Sequence, residues 1–236
     1  MDKIFDGKIA LVTGASRGIG AATAKKLATL GAHVILTAKN DKLLQAVEDE
    51  IFKAGGSATI APMDLTDGEN IARLAAAVTE RWGKLDIMIL NAARLGSLGP
   101  VTQIDPVEFN KVLTLNLLSG QAAIAAFDPL LKKSDAGRLV ALTSSVGSKP
   151  RAFWGAYGAS KAALENLVIS YGQEVMNLSK IRAYIVDPGR TRTDMRAQAY
   201  PGEAPETVKE PKIVAHAIIE LLLSDEPTGY LLKVDS

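Results

Sequence analysis

A short β-branched run, Ile9 to Thr13, leads directly into Gly14-Ala15-Ser16-Arg17-Gly18-Ile19-Gly20, and a helix-forming stretch from Ala21 to Leu30 follows, closed by Gly31. No other part of the chain restricts the fold so closely. An uninterrupted apolar strand reads as buried on both faces, which belongs to a parallel sheet covered by helices. Glycines in a sharp turn after such a strand allow φ > 0 and let backbone approach a ligand. The helix N-terminus behind them offers free N–H groups and the positive end of its dipole. The combination makes a phosphate cradle, although G-x-x-x-G-x-G by itself is also compatible with a purely structural turn.

The second signal lies far downstream, in Tyr157-Gly158-Ala159-Ser160-Lys161. Positions four apart share one face of a helix, so the phenol and the ammonium can point into the same space. A fixed cation favours the phenolate of a tyrosine, whose ordinary pKa is about 10, and brings proton exchange nearer neutrality. Ser144, thirteen residues upstream at the end of an apolar run, offers a hydroxyl to the same substrate oxygen. Alone, Tyr-x-x-x-Lys also fits any amphipathic helix with a half-buried Tyr beside a solvated Lys.

Composition removes several function classes. With 27 Lys and Arg against 26 Asp and Glu, the net charge of +1 gives no electrostatic case for nucleic acid or an anionic membrane. The chain has no cysteine, and its two histidines, His33 and His216, are far apart, so no metal site is expected. The first residues carry acid and no apolar core of a secretory signal, and no stretch approaches the roughly 20 apolar residues of a membrane helix. A soluble cytoplasmic protein of one domain over 1–236 is the expectation.

The two motifs together resemble the short-chain dehydrogenase/reductase family, whose cofactor loop matches Thr13 to Gly20 and whose catalytic centre matches Ser144, Tyr157 and Lys161. The likeness runs from Lys8 to Val234. It implies an α/β fold, a single-domain doubly wound Rossmann sheet of seven parallel strands in the order 3-2-1-4-5-6-7 with helices on both faces. It also implies a homodimer or homotetramer. Gly14, Ser16, Arg17, Gly18, Ile19 and Gly20 would hold the cofactor phosphates. At the end of strand His33 to Ala38 the NAD-dependent members carry Asp; here Ala38 is followed by Lys39, and Arg17 sits in the glycine loop, so charge favours NADP(H) over NAD(H).

Further matches follow the chain. Asp64 and Leu65 stand at the family's adenine edge, although Asp64 also suits a turn, and Thr66-Asp67-Gly68-Glu69 has the spacing of a capping box. Asn91, Ala92 and Ala93 stand where the family has Asn-Ala-Gly, with Leu90 in place of a preceding Asn. Asp105-Pro106-Val107-Glu108 specifies a helix start. Beyond it Asn116, an amide among leucines that needs partners, corresponds to the fourth catalytic residue, which in the family binds a water joining Lys161 to solvent. Ser144 is favoured over Ser145 by its distance from Tyr157. Phe153 and Trp154 either pack at the helix start or wall an apolar substrate site.

Near the C-terminus Pro188, Gly189, Thr191 and Thr193 match the grip on the nicotinamide carboxamide, after an Asp187 where Asn is commoner. Arg190, Arg192 and Arg196 lie near the expected mouth, either solvated or ready for an anionic substrate. A substrate lid is expected at about 194–211. The resemblance implies hydride transfer between NADP(H) and a carbonyl or secondary alcohol, of the 3-oxoacyl-reductase or general ketone-reductase kind. Ser144 would polarise the oxygen, Tyr157 would exchange its proton, and Lys161 would lower the phenol pKa and bind the ribose. A non-catalytic NADP(H)-sensing protein on the same fold is the alternative, against which the complete set of four residues speaks. A nucleotide-sugar epimerase is disfavoured by the glycine spacing and the short C-terminal part.

Overall fold

In a computed structural model, which describes residues 3–234, seven parallel strands form one sheet in the order β3-β2-β1-β4-β5-β6-β7. These are β1 Ile9–Thr13, β2 His33–Ala38, β3 Ser57–Pro62, β4 Ile87–Leu90, β5 Arg138–Leu142, β6 Arg182–Asp187 and β7 Leu231–Lys233. The expected order is thus observed, and the first two strands have the limits read in the sequence.

Alternation along the strands supplies both layers of the core. Ala10, Val12, Val34, Leu36, Ile87, Ile89, Val140 and Leu142 face one apolar layer with helices α1 (Gly18–Thr29), α2 (Asp41–Lys53) and α9 (Pro211–Leu223). Ile9, Leu11, Ile35, Met88, Leu90, Leu139 and Ala141 face the other, with α3 (Gly68–Trp82), α5 (Ser119–Leu131) and α7 (Gly155–Val175). A sheet buried on both sides explains why its strands read as continuous apolar runs.

Helix α1 begins earlier than its sequence pattern indicated, because Gly18 of the loop is already its first residue. At α3 the cap is Asp67, whose carboxylate accepts from the Glu69 N–H at 2.9 Å. The capping box read from Thr66 is therefore corrected. The Thr66 hydroxyl and N–H instead donate to Asp64, at 2.7 and 2.9 Å, so Thr66 serves the preceding turn. Helix α4 (Pro106–Leu113) starts as expected, with Asp105 accepting from Val107 N–H at 2.9 Å. It runs through one π-helical turn, Thr114–Leu118, into α5. Asn116 lies in that turn rather than within regular helix, and such bulges recur at functional sites.

The strand order reverses between β1 and β4, where the loops leaving the carboxyl ends of those strands part and open a crevice. Among the described residues no helix is long and apolar enough to cross a membrane.

Candidate active site

The crevice is a cleft of about 690 Å³. It takes in all the expected site residues except Gly20, Asp64 and Asn116. At its floor, Thr13 Oγ1 donates to Ile89 O at 3.1 Å and accepts from the N–H groups of Asn91 and Ala92 at 2.9 and 3.1 Å. The Asn91 amide donates back to the carbonyls of Thr13 and Gly14 at 2.9 and 3.1 Å. These bonds lock the β1 and β4 loops together. Thr13, whose hydroxyl faces both loops, is a residue the sequence reading passed over. Leu90, in place of a polar residue, is buried in the core.

The glycine loop is tight. A Cβ on Gly20 would stand 2.3 Å from the Gly14 carbonyl oxygen and 2.5 Å from Asn91 Nδ2. Gly14 has φ +64, and a Cβ there would meet Ala92 Cα at 2.9 Å. Gly20 therefore acts by permitting the turn and not by lining the cleft. The backbone of Ser16 to Ile19 at the start of α1 is open to the cleft and suits a pyrophosphate.

Carboxylates from elsewhere in the chain meet the cations at the cofactor end: Lys39 Nζ lies 2.7 Å from Asp64 Oδ2, and Arg17 Nη1 lies 2.8 Å from Asp194 Oδ2. Asp64 does not line the cleft as an adenine contact would. Its other oxygen is taken by Thr66. Burial pushes the Asp64 carboxyl upward, but the bonds from Lys39 and Thr66 prevail and hold it at about 2. Leu65, by contrast, does line the cleft.

Toward the other end, Ser144, Tyr157 and Lys161 line one continuous wall. Ser144 has extended backbone just before the short helix α6 (Ser145–Ser148), whereas Ser145 is exposed outside the cleft. Tyr157 sits in the first turn of α7, with Lys161 one turn on. Lys161 is buried, its Nζ donating to the Leu142 carbonyl at 2.7 Å and standing 5.8 Å from the Tyr157 ring centroid. Burial lowers the ammonium pKa to about 8.

The phenol does not follow the expected direction. Burial, and secondly the Asp187 carboxylate, raise the Tyr157 pKa above its ordinary value. Desolvation of the phenolate outweighs the pull of an ammonium whose Nζ donates to the Leu142 carbonyl.

Asn116 is buried, and both halves of its amide are used. Its Oδ1 accepts from Arg94 N–H at 2.8 Å, and its Nδ2 donates to Arg94 O at 2.9 Å and Ser160 Oγ at 3.0 Å. Ser160 Oγ donates in turn to the Tyr157 carbonyl at 2.7 Å. Asn116 thus reaches the tyrosine through Ser160, a residue inside the recognised motif that had no role assigned. At the far strand end, Pro188, Gly189, Thr191 and Thr193 border the cleft. Thr191 Oγ1 donates to Pro188 O at 2.9 Å, and Thr193 accepts from Arg196 N–H at 3.2 Å as the cap of helix α8, Asp194–Ala199.

The sequence pattern of the short chain dehydrogenase family matches residues 8–204. This chain belongs to that family. The uncharacterized oxidoreductase YciK of Escherichia coli K12 is 36% identical over 225 residues, 94% of this chain and 88% of that protein. Among solved structures, a provisionally assigned short chain dehydrogenase of Shigella flexneri 2a, complexed with NADP, superposes with TM-score 0.95 at 35% identity over 99% of both chains. A provisionally assigned one of Escherichia coli CFT073, complexed with NADPH, gives TM-score 0.92 at 35% identity, again over 99% of both.

The three arginines that left an anionic substrate open are engaged within this short chain dehydrogenase. Arg190 and Arg196 both pair with Glu203, and Arg192 pairs with Glu210 at 2.8 Å. Arg196 holds Glu203 through two bonds of 2.6 and 2.7 Å, and these, with Arg190, keep the Glu203 carboxyl at about 2.

Proposed function

We propose that this chain is an NADP(H)-dependent oxidoreductase that interconverts a carbonyl compound and a secondary alcohol. One observation carries the reading: a glycine-turned helix start suited to pyrophosphate and the Ser144, Tyr157 and Lys161 side chains share a single cleft. Gly14 to Gly20 would seat the pyrophosphate, with Leu65 beside the adenine and Asn91 to Ala93 beside the ribose. Pro188, Gly189, Thr191 and Thr193 would hold the carboxamide end. NADP(H) is preferred to NAD(H) because β2 ends without a carboxylate of its own, Arg17 and Lys39 border the cleft, and two relatives were solved with NADP and NADPH. Asp64 and Asp194 are the counter-ions that a 2′-phosphate would replace.

When bound, the cofactor supplies or accepts hydride. Ser144 and Tyr157 hydrogen-bond the substrate oxygen and polarise it, and Tyr157 Oη delivers its proton as charge builds there. With its pKa raised by burial, Tyr157 enters protonated, and the charge building on the substrate oxygen and the neighbouring Lys161 ammonium must favour release of its proton. Lys161, with a pKa near 8, binds ribose hydroxyls and restores the proton. Asn116 fixes the Arg94 turn and, through Ser160, the Tyr157 backbone. The lid spans about 194–211, the site of action is the cytoplasm, and the assembly is a homodimer or homotetramer pairing α5 and α7. A second groove at those helices, lined by Ile124, Leu167 and the exposed Leu178 together with Asp128, Lys132 and Glu174, lies on the surface that such a pairing would cover.

The decisive variant is Tyr157→Phe. It should bind NADPH as the wild type does and lose roughly 10²- to 10⁴-fold in carbonyl-dependent NADPH oxidation. Turnover retained by the variant would refute the assignment, and NADPH binding without turnover of any carbonyl by the wild type would favour the sensing alternative.

A further inference from the structure

We propose that the substrate is an uncharged, mainly apolar carbonyl compound whose body lies against Trp154, Leu95 and Met195. This inference rests on the oxidoreductase reading above and narrows it.

The wall around the Tyr157 phenol is apolar. Leu95, Val146 and Tyr157 are buried together, with Leu98, Trp154, Met195 and Ala199 packed on them. Trp154 stands edge-on to Tyr157 with ring centroids 6.0 Å apart and meets Tyr200 at 5.8 Å on its other side. A flat ring fixed between two others gives an apolar contact of small entropic cost, and Met195 adapts its shape to what fills the remaining space.

The position of Trp154 is held against backbone preference. Phe153, just before it, has φ +72, a left-handed conformation that a bulky residue adopts at a cost of roughly 1 to 3 kcal/mol. Its carbonyl accepts from Gly99 N–H at 3.0 Å, which ties this turn to the loop carrying Leu95 and Leu98. Phe153 itself is exposed, so the strained turn serves its neighbour's placement and not its own burial.

The cations that line the cleft at this end are already paired, and Arg151, outside the lining, bonds the Tyr200 hydroxyl. Arg94 lies 2.7 Å from Glu108, which Lys111 also contacts at 2.8 Å. Arg196 is doubly bonded to Glu203, and its guanidinium stacks 3.7 Å from the Tyr200 ring centroid. A substrate carboxylate or phosphate would have to displace Glu203 or enter an apolar wall unpaired, and either is unfavourable. The remaining polar side chains here, Ser97 and Gln198, are uncharged and suit the occasional hydroxyl or ester oxygen.

Methyl 4-acetylbenzoate and 4-acetylbenzoate present the same aryl ketone with the carboxyl masked or free. Titrated into the NADP+-loaded protein, where reduction is impossible, the ester should bind at least about tenfold more tightly than the carboxylate. Trp154→Ala should weaken the ester about tenfold while NADP+ affinity stays within about twofold. Glu203→Gln, which releases Arg196, should improve carboxylate binding by about threefold or more and leave the ester unchanged. Carboxylate binding equal to or tighter than the ester, absence of binding by both, or an unchanged ratio in Glu203→Gln would each overturn the inference. Turnover with NADPH is read separately: an ester that binds preferentially yet is never reduced sinks the redox reading and leaves the substrate preference standing.

Discussion

At the glycine-loop end of the cleft, shape is carried by backbone, whereas at the other end, that of the proposed lid, it is carried by pairs of long side chains. The Gly14 and Gly20 positions and the Thr13 and Asn91 bonds leave little freedom, because each atom that a new Cβ on either glycine would strike belongs to a neighbouring main chain or a fixed amide. At the lid, Arg196, Glu203, Tyr200 and Arg151 form a surface network that other residues could replace. The first end therefore tolerates little substitution, and the second is where side chains can change without disturbing the fold.

The most severe test of this contrast is Gly20→Ala. One methyl group would overlap the Gly14 carbonyl and the Asn91 amide together. A loss of about 3 to 5 kcal/mol in chemical unfolding is expected, with no NADPH binding detectable by fluorescence. A variant that unfolds at the wild-type denaturant concentration and still binds cofactor would show that the loop yields, and the contrast between the ends would fail.

The same contrast explains what could be read from the sequence. The glycine turn after β1 and the helix start at Asp105 depend on local pattern, whereas the strand order and the place of Asn91 were implied by the family resemblance, and the structure has each where it was expected. What escaped depends on contacts remote in sequence. Nothing near Lys39 reveals that Asp64 arrives from the next strand end, or near Arg17 that Asp194 arrives from the lid 177 positions away. Thr66 and Asp67 both satisfy a cap pattern, and only the demand of Asp64 for partners decides between them. The upward shift at Tyr157 required knowing that the phenol is buried and that Asp187 comes near it from the end of β6, since one helical turn brings two side chains to one face without fixing what else surrounds them.

Lys161 gives the next sharpest test, because its charge is buried at the junction of the two ends. Burial takes its pKa from 10.5 to about 8, so between those values the folded protein has released a proton that the unfolded chain still holds. Where the unfolded state binds more protons, stability rises with pH. From this residue alone the fold gains as pH goes from about 8 to 10.5, while the raised Tyr157 pulls the opposite way above its ordinary value. Comparison with Lys161→Met cancels the tyrosine. The wild type should gain on the variant by on the order of 3 kcal/mol across the window. A difference that stays flat with pH would mean the ammonium is solvated, and the buried junction would be wrong.

The smallest expected effect is the most specific to the lid. Thr193 caps the six-residue helix α8, accepting from Arg196 N–H at 3.2 Å, and the Ala197 N–H bonds the Thr193 carbonyl at 2.9 Å. Loss of such a cap costs about 1 kcal/mol. No residue of α8 is buried, so its opening need not involve the sheet. Thr193→Ala, compared without cofactor, should therefore speed hydrogen exchange at Arg196 and Ala197 about fivefold while the global unfolding free energy moves by less than about 0.5 kcal/mol. A global loss of a full 1 kcal/mol would mean that the lid unfolds with the sheet. Its side-chain network would then be part of the fold, and substrate preference could not vary there independently of stability.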